Sequence, residues 1–123
     1  MNQFVIPEQL PGANDYINLC RRNMYQANEM KHETELLITR AINRALRAKE
    51  CKFTDKPVDV YITWGERTKR RDVDNIQFAQ KFILDAMKGK LIPNDGQKYV
   101  RQVFHRIEHT EGTVVRIEEH PAG

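Results

Sequence analysis

The chain has 123 residues, a formal net charge of +3, 40% hydrophobic residues and 30% charged residues. That length suits one domain over residues 1–123 with a modest single core, and no apolar run approaches the roughly 18 residues that span a membrane. The start MNQFVIPEQL lacks a basic segment ahead of an apolar one, and Cys20 and Cys51 form no CxxC, so the expectation is a cytoplasmic protein with no secretory leader, disulfide framework or cysteine zinc site.

Residues 2–6 (NQFVI) form a short apolar stretch that predicts an edge strand, broken by Pro7 and by Pro11-Gly12. From Ala13 to Glu50 the apolar residues recur at spacings of three and four: Tyr16, Cys20, Met24 and Ala27, then Met30, Leu37, Ile38, Ala41, Ile42, Ala45 and Leu46. This predicts helix, with Asn14 or Asp15 as its cap. The polar middle (NMYQANEMKHETE) predicts two helices with a bend near residue 30. Residues 57–64 alternate, with Val58, Val60, Ile62 and Trp64 on one face and Asp59, Tyr61 and Thr63 on the other, so they predict a half-buried strand. Residues 74–88 predict a helix, and Pro93-Asn94-Asp95-Gly96 a turn. YVRQVFHRI and TVVRIEE predict two final strands joined as a hairpin by residues 109–112. The order β-α-β-α-β-β predicts a small α/β (α+β) fold with helices packed on one mixed sheet.

The charge is unevenly placed. Residues 1–66 carry nine basic and nine acidic side chains. Residues 67–106 carry Arg67, Lys69, Arg70, Arg71, Lys81, Lys88, Lys90, Lys98, Arg101 and Arg106 against only Asp72, Asp74, Asp85 and Asp95. Residues 107–123 carry one basic and four acidic side chains. A basic excess confined to the middle of the chain points to a polyanionic partner, although charge alone is equally well explained by a solvated face.

The informative segment is RTKRRDVDNIQFAQKFILDAMKGKLIPND, residues 67–95. Asp72 and Asp74 follow four cations directly, and two carboxylates so close repel each other unless a divalent cation intervenes. Hard oxygen ligands suit Mg²⁺ or Mn²⁺, and cations beside them suit a phosphodiester backbone. A single Asp here is readily explained as a helix cap, Asp74 with Gln77 forming a capping box. The pair beside the cation run favours the metal. On a continuous helix Asp74, Lys81 and Asp85 fall within about 40° of one another, opposite an apolar arc of Ile76, Ala79, Phe82, Ile83, Ala86 and Met87. Lys81 then stands about 10 Å along the axis from Asp74, or pairs simply with Asp85 at i,i+4. Asp95 is a third candidate ligand, with turn chemistry as the plainer account. An EF-hand loop starting at Asp72 needs Gly at position 77, which is Gln. His105 and His109 are expected at the surface, and the chain has neither a Gly-rich phosphate loop nor a nucleophile motif.

These residues resemble the RusA-like Holliday-junction resolvases. The likeness lies in the basic run into Asp72-Val-Asp74-Asn75, in Lys81-Phe-Ile-Leu-Asp85-Ala, in Ile92-Pro-Asn-Asp95-Gly, and in the early Pro11-Gly-Ala-Asn14-Asp-Tyr16. It covers nearly the whole chain. The resemblance implies a phage- or prophage-type homodimer that binds four-way DNA junctions and makes paired Mg²⁺-dependent incisions. It places the family's three aspartates on Asp72, Asp74 and Asp95, as catalytic residues and ligands of one or two Mg²⁺ (or Mn²⁺) ions per site. The family lysine falls on Lys81, because the position four after the second Asp is Phe78. Arg67, Lys69, Arg70 and Arg71 are the expected phosphate contacts, with Arg21 and Arg22 adding contacts from the first helix. No membrane and no organic cofactor is expected. Two other functions fit the residues: a DNA-binding module without catalysis, predicted to bind in EDTA and never cut, and a nuclease for other branched or flapped DNA.

Overall fold

The computed structural model describes residues 2–121. The elements in chain order are β1 (Gln3–Ile6), α1 (Ala13–Arg22), α2 (Met24–Arg47), β2 (Val58–Gly65), α3 (Val73–Gln77), α4 (Gln80–Met87), β3 (Val100–Glu108) and β4 (Thr113–Glu119). The expected α+β architecture, a mixed sheet with helices packed on it, is what forms. One face of β2 is as expected: Val58, Val60, Ile62 and Trp64 are all buried, and with Phe4, Ile6, Val115 and Ile117 they make the sheet's side of the core. The other face is less open than expected, because Asp59 is buried beside His120, whose Nδ1 lies 2.7 Å from its carboxylate. The helical side is Ile38, Ala41, Ile42 and Ala45 of α2, Ile76 of α3, and Phe82, Ile83 and Met87 of α4.

Two helix boundaries differ from the expectation. The break in the long helical stretch falls at Asn23, not near residue 30. Asn23 is extended (φ −164°), and its side chain accepts hydrogen bonds from the Tyr25 and Gln26 backbone N–H groups. A short amide at this point stabilises a new helix start better than the polar run further on. α2 ends at Arg47, where Lys49 takes φ 59° and the Glu50 N–H donates to the Ala45 carbonyl at 2.8 Å. This is a Schellman closure with Lys where Gly is usual. The start of α1 is held by Asp15, whose carboxylate accepts from the Gly12 N–H at 3.0 Å.

The expected hairpin of the last two strands does not form. The sheet order is β1-β4-β2-β3. β3 pairs with β2 in parallel, and β4 inserts between β1 and β2, antiparallel to both. Residues 109–112 therefore cross the end of β2, a span of two strand spacings at about 4.8 Å each. Glycine makes the crossing possible: a Cβ on Gly65 would lie 1.8 Å from the Gly112 carbonyl oxygen. The local turn signal was sound, but a strand's neighbour is chosen by the whole apolar surface to be covered. The Trp64 indole N–H donates to Nδ1 of His105 at 3.0 Å, so His105 belongs to the core-facing row of β3 and is not a plain surface residue. Among the described residues no helix is long and apolar enough to cross a membrane.

Candidate active site

The segment that carries Asp72 and Asp74 leaves the sheet at Gly65. Glu66, the next residue, is 3% exposed, and its N–H donates to the Glu108 carbonyl at the end of β3 at 2.9 Å. The chain then turns outward through Arg67, Thr68, Lys69 and Arg70, all exposed, before Arg71 turns back inward. The Arg71 Nε and Nη2 groups donate to the two Glu66 carboxylate oxygens at 2.9 and 2.5 Å, and Nη1 donates to the Leu10 carbonyl at 3.1 Å. Arg71 was expected to face a phosphate. Its guanidinium is instead directed into the fold, with the side chain 18% exposed, because the buried Glu66 carboxylate needs a partner.

Asp72 occupies the N-cap position of α3, yet its side chain makes no capping hydrogen bond. Asp74 is not the cap; its Oδ1 accepts from the Asn75 N–H at 3.0 Å. Both residues are exposed. The capping account thus explains neither carboxylate. Asn75 is tied elsewhere: its Oδ1 accepts from the Asn14 N–H at 2.9 Å across to the start of α1. Gly12 lies so close that a Cβ there would sit 2.4 Å from Asn75 Oδ1 and 2.9 Å from Arg71 Nη1.

The expected single helix over residues 74–88 is interrupted. α3 stops at Gln77 and α4 starts at Gln80. The junction carries tighter bonds, Ala79 N–H to the Ile76 carbonyl at 3.5 Å and Lys81 N–H to the Phe78 carbonyl at 3.4 Å. Such i→i+3 turns advance about 120° per residue rather than 100°, so the stripe shared by Asp74 and Lys81 on a continuous wheel is not maintained. The apolar arc survives, with Leu84 buried in addition and Ala86 only half-buried. Lys81 is exposed, and Asp85 pairs with Lys88 at 3.3 Å rather than with Lys81.

Asp95 lies apart from the other two aspartates. Lys88, just past the end of α4, reaches Asp85 and Asp95 at 3.3 and 3.6 Å. The hydrogen bond to Asp85 and the charge of Asp95 raise the Lys88 ammonium above its ordinary pKa. The next residues adjoin the start of β2, where the Val58 N–H donates to the Tyr99 carbonyl at 2.7 Å. Asp72 and Asp74 follow the other end of that eight-residue strand, which is about 23 Å long at ~3.3 Å per residue. Among the described residues no three His, Cys, Asp or Glu side chains converge to hold a metal ion. Asp72 and Asp74 alone remain a suitable donor set for Mg²⁺, which takes one or two carboxylates and completes its shell with water and substrate phosphate oxygens.

The remaining expected cations are exposed. Arg67 meets Glu111 at 3.2 Å, both side chains being at least 70% exposed. Lys69 and Arg70 share its loop, and Arg21 and Arg22 lie in the last turn of α1. Tyr16 of α1 packs on Phe78 and Phe82, with ring centroids 5.6 and 6.4 Å apart, which docks this helix against α3 and α4. Neither Glu66 nor the role of Asn75 is marked by a sequence motif. A carboxylate directly after a strand and ahead of four cations carries no periodic signal, since its partner lies five residues away by loop geometry.

A comparison with curated protein sequences gives no match. The family model described as endodeoxyribonuclease RusA matches residues 1–118. With the Asp72–Asp74 pair exposed behind a loop of cations and a match over nearly its whole length, the chain belongs to the RusA endodeoxyribonuclease family.

Proposed function

We propose that this protein is a Mg²⁺-dependent endonuclease that resolves four-way DNA junctions by paired incisions, acting as a homodimer in recombination and repair. One observation carries the reading: two adjacent exposed carboxylates, neither used as a cap, stand directly after the loop of Arg67, Lys69 and Arg70. Asp72 and Asp74 would hold the ion. Once bound, Mg²⁺ supplies an activated water and neutralises charge on the phosphodiester. The chain's own groups do the rest. Arg67, Lys69 and Arg70 bind flanking phosphates, and each contact contributes roughly one unit of slope to the salt dependence. Arg21 and Arg22 extend that track. Lys81, exposed in the first turn of α4, offers its ammonium to the charge that develops on the phosphate.

Two protomers follow from the substrate, because opposite strands of a two-fold junction need two equivalent sites. Asp95 lies at the far end of α3–α4 from Asp72 and Asp74, so it joins their centre only from the second protomer. Mixing Asp72→Asn and Asp95→Asn protomers tests this: a site shared across the dimer regains incision of one strand, and a site within one protomer stays inactive. The main reading is tested with a synthetic four-way junction and Mg²⁺. Wild type should cut it in preference to forked or linear duplex, and Asp72→Asn and Asp74→Asn should not cut. Equal cutting by these variants removes the assignment, and equal cutting of all substrates removes the junction specificity.

A further inference from the structure

We propose that Glu66 and Arg71 form a positioning pair that fixes the spacing and direction of Asp72 and Asp74, and so sets their affinity for the divalent cation. The inference rests on the metal-nuclease reading above and adds two residues to it. Glu66 and Arg71 are the most buried ion pair near the site, with side chains 4% and 18% exposed. The three Arg71 bonds serve two separate parts of the fold: two go to Glu66, just past the end of β2, and one to the Leu10 carbonyl ahead of α1. On the other side of Asp72 and Asp74, Asn75 accepts from the Asn14 N–H. The two exposed carboxylates therefore lie on a short strap that is fastened at both ends to the α1 start, and at one end to the sheet. Gly12 shows how close the fastening is, since no Cβ fits between it and Asn75.

The choice of residues supports positioning over stability. A buried ion pair is a weak stabiliser, because desolvation offsets most of its attraction, and well-packed apolar residues often serve as well. What a bidentate Arg–carboxylate pair supplies in addition is direction: two parallel hydrogen bonds fix the plane of the guanidinium. Lysine carries the same charge on one flexible point and cannot reproduce that plane. Residues that orient metal ligands typically change metal affinity 10–100-fold when altered.

The test measures Mn²⁺ binding by electron paramagnetic resonance and Mg²⁺ half-saturation of junction cleavage, on wild type, Arg71→Lys and Glu66→Gln. Far-UV circular dichroism checks the fold, and junction binding in EDTA checks phosphate contacts. Arg71→Lys is expected to keep its fold and its binding in EDTA, and to weaken both metal readouts about 10–100-fold. Cleavage should return at high Mg²⁺. Glu66→Gln, which keeps one acceptor for Arg71, should show a smaller shift in the same direction. If Arg71→Lys fails to fold, Glu66→Gln alone decides. Loss of binding in EDTA with metal affinity intact makes Arg71 a phosphate contact and overturns the proposal. Wild-type affinity in folded variants overturns it too. If wild type and Asp72→Asn bind Mn²⁺ equally, the metal site itself is wrong, and this pair falls with it.

Discussion

Two polar regions flank α3 and α4, and they are built in opposite ways. At the Asp72–Asp74 end the main support is a bidentate, largely buried Glu66–Arg71 pair, with single bonds from Arg71 to the Leu10 carbonyl and from the Asn14 N–H to Asn75. At the Asp95 end a single lysine, 44% exposed, reaches two half-exposed carboxylates at 3.3 and 3.6 Å. Water competes for every contact in the second region and much less for the Glu66–Arg71 pair in the first. The first region is tied to the end of β2 and to the segment that leads into α1. The second is an exposed cluster in which one ammonium is shared by two carboxylates. On the reading proposed above, in which the centre binds a metal before it cuts, the difference separates a fixed half from an adjustable half.

The largest expected effect tests the fixed half. Glu66→Ala leaves the Arg71 guanidinium buried without its partner, which costs about 3–5 kcal/mol. Thermal unfolding should move down by more than about 10 °C in a domain of this size. A shift no larger than that of a surface substitution breaks the contrast, because it would mean that water already reaches the pair.

Next come the carboxylates themselves. Asp72→Asn and Asp74→Asn remove charge from exposed positions, so unfolding should change little. Mg²⁺-dependent cleavage should fall about 10³-fold, the equivalent of roughly 4 kcal/mol of barrier. Single-turnover cleavage measured beside thermal melts separates the two outcomes. Loss of stability and activity together would mean that these carboxylates hold the fold, and that the rigid region contains no functional group.

An acid titration sharpens the comparison by assigning pH effects to a third place. Burial lowers the His105 imidazole below its ordinary value. The folded state therefore takes up its proton later than the unfolded chain does. The contribution of His105 is fully present above the unfolded value of about 6.5, and it is lost as pH falls through the folded value. His105→Gln keeps an acceptor for the Trp64 N–H but does not titrate. Urea unfolding at pH 7.5 and pH 5.0 should show a smaller acid loss in this variant than in wild type. An unchanged loss would place the acid sensitivity elsewhere.

How much of this was legible in the sequence depends on the range of the signal. β2 was, because Val58, Val60, Ile62 and Trp64 alternate locally and are buried. The Asp72–Asp74 pair was, because its neighbours are adjacent in sequence. The sheet order was not, since whether β4 joins β3 or passes over Gly65 to lie between β1 and β2 is settled by surfaces distant in the chain. The helix break at Asn23 had a local signal, a short amide with Gln three residues on, and the polar run near residue 30 obscured it. Arg71 looked like its neighbours in a run of cations. Only the burial of Glu66 distinguishes it from Arg70. The separation of Asp95 from the other aspartates was hidden for a similar reason: spacing in a motif fixes order along the chain and leaves direction in space open.

The smallest expected effect tests the adjustable half. Lys88→Gln removes the ammonium from between Asp85 and Asp95. Exposed ion pairs contribute little to folding, because solvent screens them and two long side chains lose freedom in making them. The melting temperature should stay with those of other surface substitutions, and 1 M NaCl, with a Debye length near 3 Å, should change it no further. The carboxylates left behind repel each other, and a divalent cation relieves that repulsion. Thermal melts with and without Mn²⁺ should then show a greater stabilisation by the ion in Lys88→Gln than in wild type. A fall in melting temperature as deep as that of Glu66→Ala would make the two regions equally structural. A variant that melts like wild type and gains nothing from Mn²⁺ would leave Lys88 an ordinary surface residue, with Asp85 and Asp95 too far apart to share an ion.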